Sequence, residues 1–303
     1  MNYEEFKKKL YAEIQKMYGE NVKVKIEKML NPNAQNYEGL QIIKNPKDLI
    51  SPIINIEELY EIYIDKGFRI EQCVEWICEL LDETRKDTDL AEFSRSVRTW
   101  EGVKEDVYPI LVFTETNREY LKTVVFTQML DLSIIYMISK KIGKREVYSV
   151  KITQGILNEY GITREQLHDQ AVKNMKKENY QFISMDTYAK QLLQFMGVDG
   201  RKWDEFRHSP MYILTNDFNI NGASGILDKE LLKEFAGNKN YFIFLSCMHE
   251  AIFLLDDGEL EREEINKLVA EVYRNAVSEE ERLSEHYYHY SGETGEISMD
   301  KLY

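Results

Sequence analysis

Three short stretches carry side chains whose types and spacing could do chemistry. Ser246-Cys247-Met248-His249-Glu250 places a nucleophile, a base and a carboxylate within five residues. Those are the parts of a hydrolase in which His249 activates Ser246 or Cys247 while Glu250 orients the imidazole. In an extended strand alternate residues stand about 6.5 to 7 Å apart, beyond the roughly 3 Å contact a dyad needs. A turn must therefore intervene if Cys247 and His249 are to react together. The zincin pattern fails, because Phe253 stands where the second histidine of H-E-x-x-H belongs. The competing assignment is a satisfied polar pair that ties a turn.

The second stretch, Asp217-Phe218-Asn219-Ile220-Asn221-Gly222 with Asp228 at its twelfth position, offers oxygen ligands spaced as in an EF-hand loop. Asp228 replaces the longer bidentate glutamate, Ser224 takes a position that is usually apolar, and Met211 to Thr215 reads as a strand where an entering helix is required. A hairpin loop built on Asn and Gly is the expected outcome, with calcium at Asp217, Asn219, Asn221 and Asp228 as the alternative. The third stretch is His286-Tyr287-Tyr288-His289-Tyr290. A helix would put both histidines on one face as a metal pair and a strand would put them on opposite faces. Its tyrosines and the Gly292–Gly295 turn favour a strand. His168 and His208 have no metal-ligand spacing to a neighbour.

No G-x-x-x-x-G-K-[ST], G-x-G-x-x-G or G-x-S-x-G motif is present, so no cofactor is expected and nucleotide enzymes and α/β-hydrolases lose their support. The 303 residues carry a net charge of −14, and from Ser246 onward 15 acidic residues face 5 basic ones, a net of −10. Such a surface repels phosphate backbones and suits a basic partner. Cys73, Cys78 and Cys247 form no zinc-ribbon pair and fit reduced thiols. The opening ten residues lack the apolar run of a secretory signal, and Leu132 to Ile138 is far shorter than a membrane span. A cytoplasmic protein without membrane contact is expected.

The elements that must position these residues follow from periodicity and caps. Phe6, Leu10, Ile14 and Met17 predict an opening helix ended by Gly19, and Val22, Val24 and Ile26 predict a strand paired in a hairpin with Tyr37 to Ile43. Asn55 caps a helix stopped by Gly67, and another carries Ile70, Cys73, Val74, Ile77 and Leu81. The charged run Asp82 to Asp89 reads as the solvated end of that helix or a loop. Strands are expected at Val107–Thr114, Leu132–Ile138, Val147–Ile152, Tyr212–Thr215, Tyr241–Leu245 and Ala251–Leu255. Helices are expected at Thr153–Tyr160, Thr163–Lys177, after Ser184 or Asp186, and at Lys229–Ala236. A last helix from about Glu261 to Arg282 would bury Ile265, Leu268, Val269, Val272, Tyr273 and Ala276. The fold class is α+β. An N-terminal α+β region, residues 1–104 (helix, hairpin, two helices), precedes a larger α+β domain, residues 105–303, with an acidic C-terminal helix.

Several of these segments together resemble a family of uncharacterised bacterial cytosolic proteins. They are Ser246, His249 and Glu250 in an S-x-x-H-E arrangement, Tyr212 to Asn216, Gly222-Ala223 with Ile226-Leu227, Asp131 to Tyr136, Ala171 with Asn174, and Tyr60, Tyr63 and Gly67. Leu245 stands where that pattern has proline. The resemblance implies an intracellular α+β protein and brings no activity, cofactor or catalytic residue with it.

The expected function is that of a non-enzymatic intracellular binding or regulatory protein that works through a protein partner. One form is an acidic inhibitor of a nucleic-acid-binding protein, with no direct nucleic-acid contact of its own. The rival is a hydrolase using Ser246 or Cys247 with His249 and Glu250.

Overall fold

The computed structural model describes residues 1–19, 22–32, 36–43, 52–142, 146–195, 210–259, 263–267, 283–284 and 286–299. Within them the chain is α+β and divides into two compact units, Met1–Val103 with Ser139–Ser149, and Lys104–Ile138 with Val150–Tyr303.

Local caps set the first unit's helices. Asn2 accepts the Glu5 N–H at 2.9 Å and Glu5 returns the bond to the Asn2 N–H, so a capping box starts α1 (Tyr3–Tyr18). Phe6, Leu10 and Ile14 on its inner stripe are fully buried, each contributing about 1.5–3 kcal/mol. Met17, expected on that stripe, is 53% exposed, its sulfur 3.3 Å from Cys78 Sγ. In the last turn of α1 it is Tyr18, not Met17, that packs against the core.

β1 (Lys23–Met29), β2 (Tyr37–Ile43) and β3 (Ile53–Asn55) form an antiparallel sheet in that order, with Lys23 opposite Ile43 and Met29 opposite Tyr37. Asn55 then caps α2 (Ile56–Lys66), and Gly67 ends it at φ +62°. α3 (Ile70–Lys86) closes the core with Cys73, Val74, Ile77 and Leu81. The 82–89 run is helical rather than a loop, interrupted only at Asp87. The Asp87 carboxylate accepts the N–H groups of Asp89 and Leu90 to start α4 (Thr88–Ser96), and accepts the Tyr148 hydroxyl. α5 (Trp100–Val103) ends this stretch.

The second unit opens with β4 (Val107–Phe113), α6 (Arg118–Leu121), β5 (Phe126–Met129) and the Leu132–Ile138 part of β6 (Leu132–Ile142), whose remaining residues, like most of β7 (Glu146–Lys151), belong to the first unit. The sheet order is β4-β6-β5, and β7 also pairs with β6. α7 (Gln154–Tyr160) and α8 (Arg164–Met175) follow, capped by Thr153 and by the expected Thr163–Gln166 box. β8 (Gln181–Ser184), α9 (Met185–Phe195), β9 (Met211–Thr215), α10 (Lys229–Ala236), β10 (Asn240–Cys247), β11 (Glu250–Asp256), β12 (Tyr287–Tyr290) and β13 (Ile297–Met299) complete it. They give an antiparallel six-stranded sheet, β13-β12-β10-β11-β9-β8.

Residues 263–267 are helical and bury Ile265. The rest of that expected stripe, from Leu268 to Ala276, lies outside the described residues. Among those described, no helix is long and apolar enough to cross a membrane.

The α8 helix is locked to β4 by Asn174, which is fully buried. Its amide nitrogen donates to the carbonyls of Lys104 (2.6 Å) and Val107 (2.9 Å), and its oxygen accepts from Gln170 Nε2 at 2.8 Å. Asn174→Leu removes both bonds and strands the buried Val107 carbonyl, a loss of about 1–3 kcal/mol. Urea titration should show a lower midpoint at unchanged m-value. An unaltered midpoint would refute this role for Asn174.

Candidate functional site

The hairpin of β10 and β11 turns at Met248-His249, with Cys247 paired to Glu250. The register slips between Phe244 and Cys247, and such a bulge re-aims the side chains at a strand end. Beneath the turn lie the loop 216–221 and a 3-10 turn, Gly222–Leu227.

The two layers are stitched through the backbone. Thr215 Oγ1 donates to the His249 carbonyl (3.0 Å), the Ala223 N–H donates to the Met248 carbonyl (3.2 Å), and the Asn221 N–H donates to His249 Nδ1 (3.4 Å). Residue 222 has to be glycine for this approach. A Cβ there would stand 2.2 Å from the His249 carbonyl oxygen and 2.5 Å from Thr215 Oγ1.

This geometry gives each expected catalytic residue a definite place. His249 Nδ1 accepts a backbone N–H, so it is not the N–H that a carboxylate would hold in a nucleophile–base–acid relay. Glu250 Oε2 accepts the Tyr188 hydroxyl at 2.9 Å. Burial, then the adjacent carboxylate, push Tyr188 above the ordinary phenol range. Cys247 is buried at 8% exposure. Ser246 sits in β10, and its side chain lies outside the described residues.

The EF-hand-like residues carry structural tasks. The Asp217 carboxylate accepts Asn179 Nδ2 at 3.0 and 3.1 Å, and Asn219 Oδ1 accepts Thr215 Oγ1 at 3.4 Å. Asn219 and Asn221 supply left-handed backbone, φ +51° and +54°, which Asn tolerates. Asp228 caps α10 through the Glu230 and Leu231 N–H groups. The loop is entered from a strand, β9. Among the described residues no group of three or more His, Cys, Asp or Glu could hold a metal.

The paired histidines diverge. His289 Nε2 meets Asp256 at 2.8 Å, while His286 Nδ1 meets Asp131 at 2.9 Å. Asp131 also accepts the Ser284 (3.0 Å) and Tyr288 (2.6 Å) hydroxyls. It forms the β5–β6 turn with Leu130, which is held at φ +56°, and its carbonyl receives the Thr114 N–H at 3.1 Å. Leu130 is 41% exposed.

One constellation has no short-range sequence signal. The fully buried Tyr136 on β6 places its hydroxyl 2.6 Å from Thr127 Oγ1 and 3.0 Å from His168 Nδ1. Thr127 and His168 both line a cleft of about 370 Å³. Burial lowers His168 from its ordinary value of 6.5, with Asp169 opposing.

Residues 3–292 match one protein family across nearly the whole chain. The chain belongs to DUF5688, a family of unknown function. No curated protein and no solved structure matches it.

DUF5688 membership agrees with the kinship read from the sequence and assigns no residue a role, so the geometry alone sorts the candidates. It brings His249 and Glu250 into one brace with Asn221, Thr215 and Tyr188, and it gives Asp217 and Asp228 separate partners. Sequence reading finds no site at His168 because its hydrogen-bond partner, Tyr136, stands 32 positions away. The one hint is Tyr136, a phenol set within the apolar run Ile134–Ile138.

Two outcomes follow. Gly222→Ala should lower stability by roughly 1–3 kcal/mol and speed hydrogen exchange at the Asn221 amide, and unchanged exchange would break the brace argument. His168 binds its proton less readily folded than unfolded, so its contribution is full above the unfolded value and is lost as pH falls through that value toward the lower folded one. Chemical denaturation between about pH 7 and 5 should therefore show a flatter loss of stability in His168→Gln than in wild type. Equal slopes would contradict this.

Proposed function

We propose that the chain is a non-enzymatic binding protein that acts through a protein partner, and that the loop 216–221 is its contact. The observation carrying this reading is a loop tied to an internal amide in which two large apolar side chains remain about half-exposed. Phe218 is 50% exposed and Ile220 57%. The loop is wound around Asn216, itself 1% exposed. The Asn216 side-chain oxygen accepts the N–H groups of Phe218 (3.1 Å) and Ile220 (3.3 Å), and its nitrogen donates to the Ile220 carbonyl (2.8 Å) and to Glu178 (3.3 Å).

A segment ordered before binding pays no ordering entropy on association, and clustered aromatic and aliphatic anchors carry most of an interface's energy. The S-x-x-H-E segment then serves as the brace that keeps this loop in place. Charge specifies the partner further. A chain at −14, with its acidic excess concentrated after Ser246, suits a partner with an apolar pocket rimmed by basic residues. A nucleic-acid-binding protein whose basic surface is blocked by this chain has that chemistry.

The reading is tested by affinity capture with crosslinking from native lysate, using wild type and a Phe218→Ser, Ile220→Ser double variant. The expected result is one stoichiometric partner whose affinity falls at least about tenfold, or 1.4 kcal/mol, in the double variant, with thermal unfolding unchanged. Absence of any such partner overturns the proposal. So does turnover of a small ester or amide that His249→Gln abolishes without unfolding the chain.

A further inference from the structure

The cleft beside Tyr136 carries an assignment that goes beyond the partner-binding reading and uses none of its residues. Its volume of about 370 Å³ lies at the small end of the roughly 300–1,000 Å³ that ligand pockets occupy. The floor is fixed and apolar, since Ile134, Ile226 and Leu232 line it and are each at most 3% exposed. Ile297, at the start of β13, continues that apolar wall.

Three polar side chains line the same cleft. Lys229 and Glu296 both line the cleft, and neither forms an ion pair among the described residues. An unpaired cation and an unpaired carboxylate within one cleft of this size form a dipolar recognition surface rather than a site for a simple anion. A polyanion would meet Glu296 and the field of a strongly acidic chain, and a simple cation would meet Lys229.

The third feature is His168. Its Nδ1 is taken by the Tyr136 hydroxyl, leaving Nε2 as the nitrogen available to a ligand. Tyr136 has Thr127 on its other side, so the hydroxyl can serve either tautomer. If Tyr136 donates to Nδ1, then Nε2 carries the proton and donates to a carboxylate. If Tyr136 donates to Thr127, Nδ1 carries the proton and Nε2 accepts from an ammonium. A fully buried tyrosine thus fixes the ring while leaving its outward polarity adjustable, and a ligand with both charges can use that.

The edge of β5 adds backbone groups. Among the described residues β5 pairs only with β6, and Thr127, Gln128 and Met129 line the cleft, so the other side of the strand can bind an amide. The side-chain nitrogen of Gln128 is already committed, donating to Thr114 Oγ1 and to the carbonyls of Leu130 and Leu132. It stiffens the wall rather than binding.

We infer that this cleft binds a small apolar zwitterion of the amino-acid or dipeptide class, its carboxylate on Lys229, its ammonium on Glu296 and its apolar body over Ile226, Leu232 and Ile297.

The test is calorimetric titration of the full chain with L-leucine, L-methionine, L-phenylalanine and leucyl-leucine. Each is paired with single-charge analogues, 4-methylpentanoate and 3-methylbutylamine for leucine, and their counterparts for the others. The expected result is saturable binding of at least one zwitterion. Loss of either charge from the ligand should weaken it at least tenfold, as should Lys229→Met and Glu296→Gln separately, with unfolding temperatures unchanged because both side chains are exposed. Three outcomes overturn the inference. They are no saturable binding by any of the four, an analogue that binds as well as its parent, and binding indifferent to both substitutions. None of them bears on partner capture through the 216–221 loop, so the two proposals fail separately.

Discussion

The His249 carbonyl sits so close to residue 222 that only a hydrogen atom fits between them. This close approach sets the spacing of the β10–β11 turn over the 3-10 turn, and the other bonds of the region depend on that spacing. Thr215 reaches the His249 carbonyl from β9, the Asn221 amide reaches the imidazole, and the chain before them wraps around Asn216. A side chain at 222 would separate the layers and release several hydrogen bonds together, because each is aligned only when the others are formed. Polar residues that look reactive in one dimension are held in three dimensions as parts of a joint.

How much of this was legible varies with the range of the interaction that decides it. Asn55 and Thr163 are caps whose partners lie two or three positions away, so the helices they start could be read directly, whereas Asp228 caps α10 although its spacing suggests a calcium ligand. The short strands β3, β5 and β8 could not be read in this way. Four residues such as Gln181–Ser184 have no periodicity of their own and are strands because β9 lies alongside, 30 or so positions on. The α4 helix was hidden by its charge, since Asp87 in a run of acidic and basic residues looks like solvent-facing chain until its cap bonds are seen.

The candidate site divides along the same line. His249 and Glu250 stand out in sequence because they are adjacent, yet the atoms that decide their roles belong to Asn221 and Tyr188, 28 and 62 positions away. His168 also has a carboxylate beside it, Asp169, yet its hydrogen-bond partner is Tyr136, 32 positions away. Within the second unit the chain thus keeps two kinds of surface, a convex loop stiffened by an internal amide and a concave cleft stiffened by an internal phenol. In both, a nearly or fully buried polar side chain spends its bonds on geometry and leaves recognition to its neighbours.

The β5–β6 turn shows another side of this long-range design. Leu130 holds a backbone angle that a bulky residue avoids, and Asp131 beside it is gripped by Ser284, His286 and Tyr288, which are 153 to 157 positions later. During synthesis those three side chains emerge after nearly everything else in the unit. The side-chain clasp on this hairpin tip therefore cannot form before residues 284–288 have been made, so the order of synthesis sets the earliest moment at which Asp131 meets these partners.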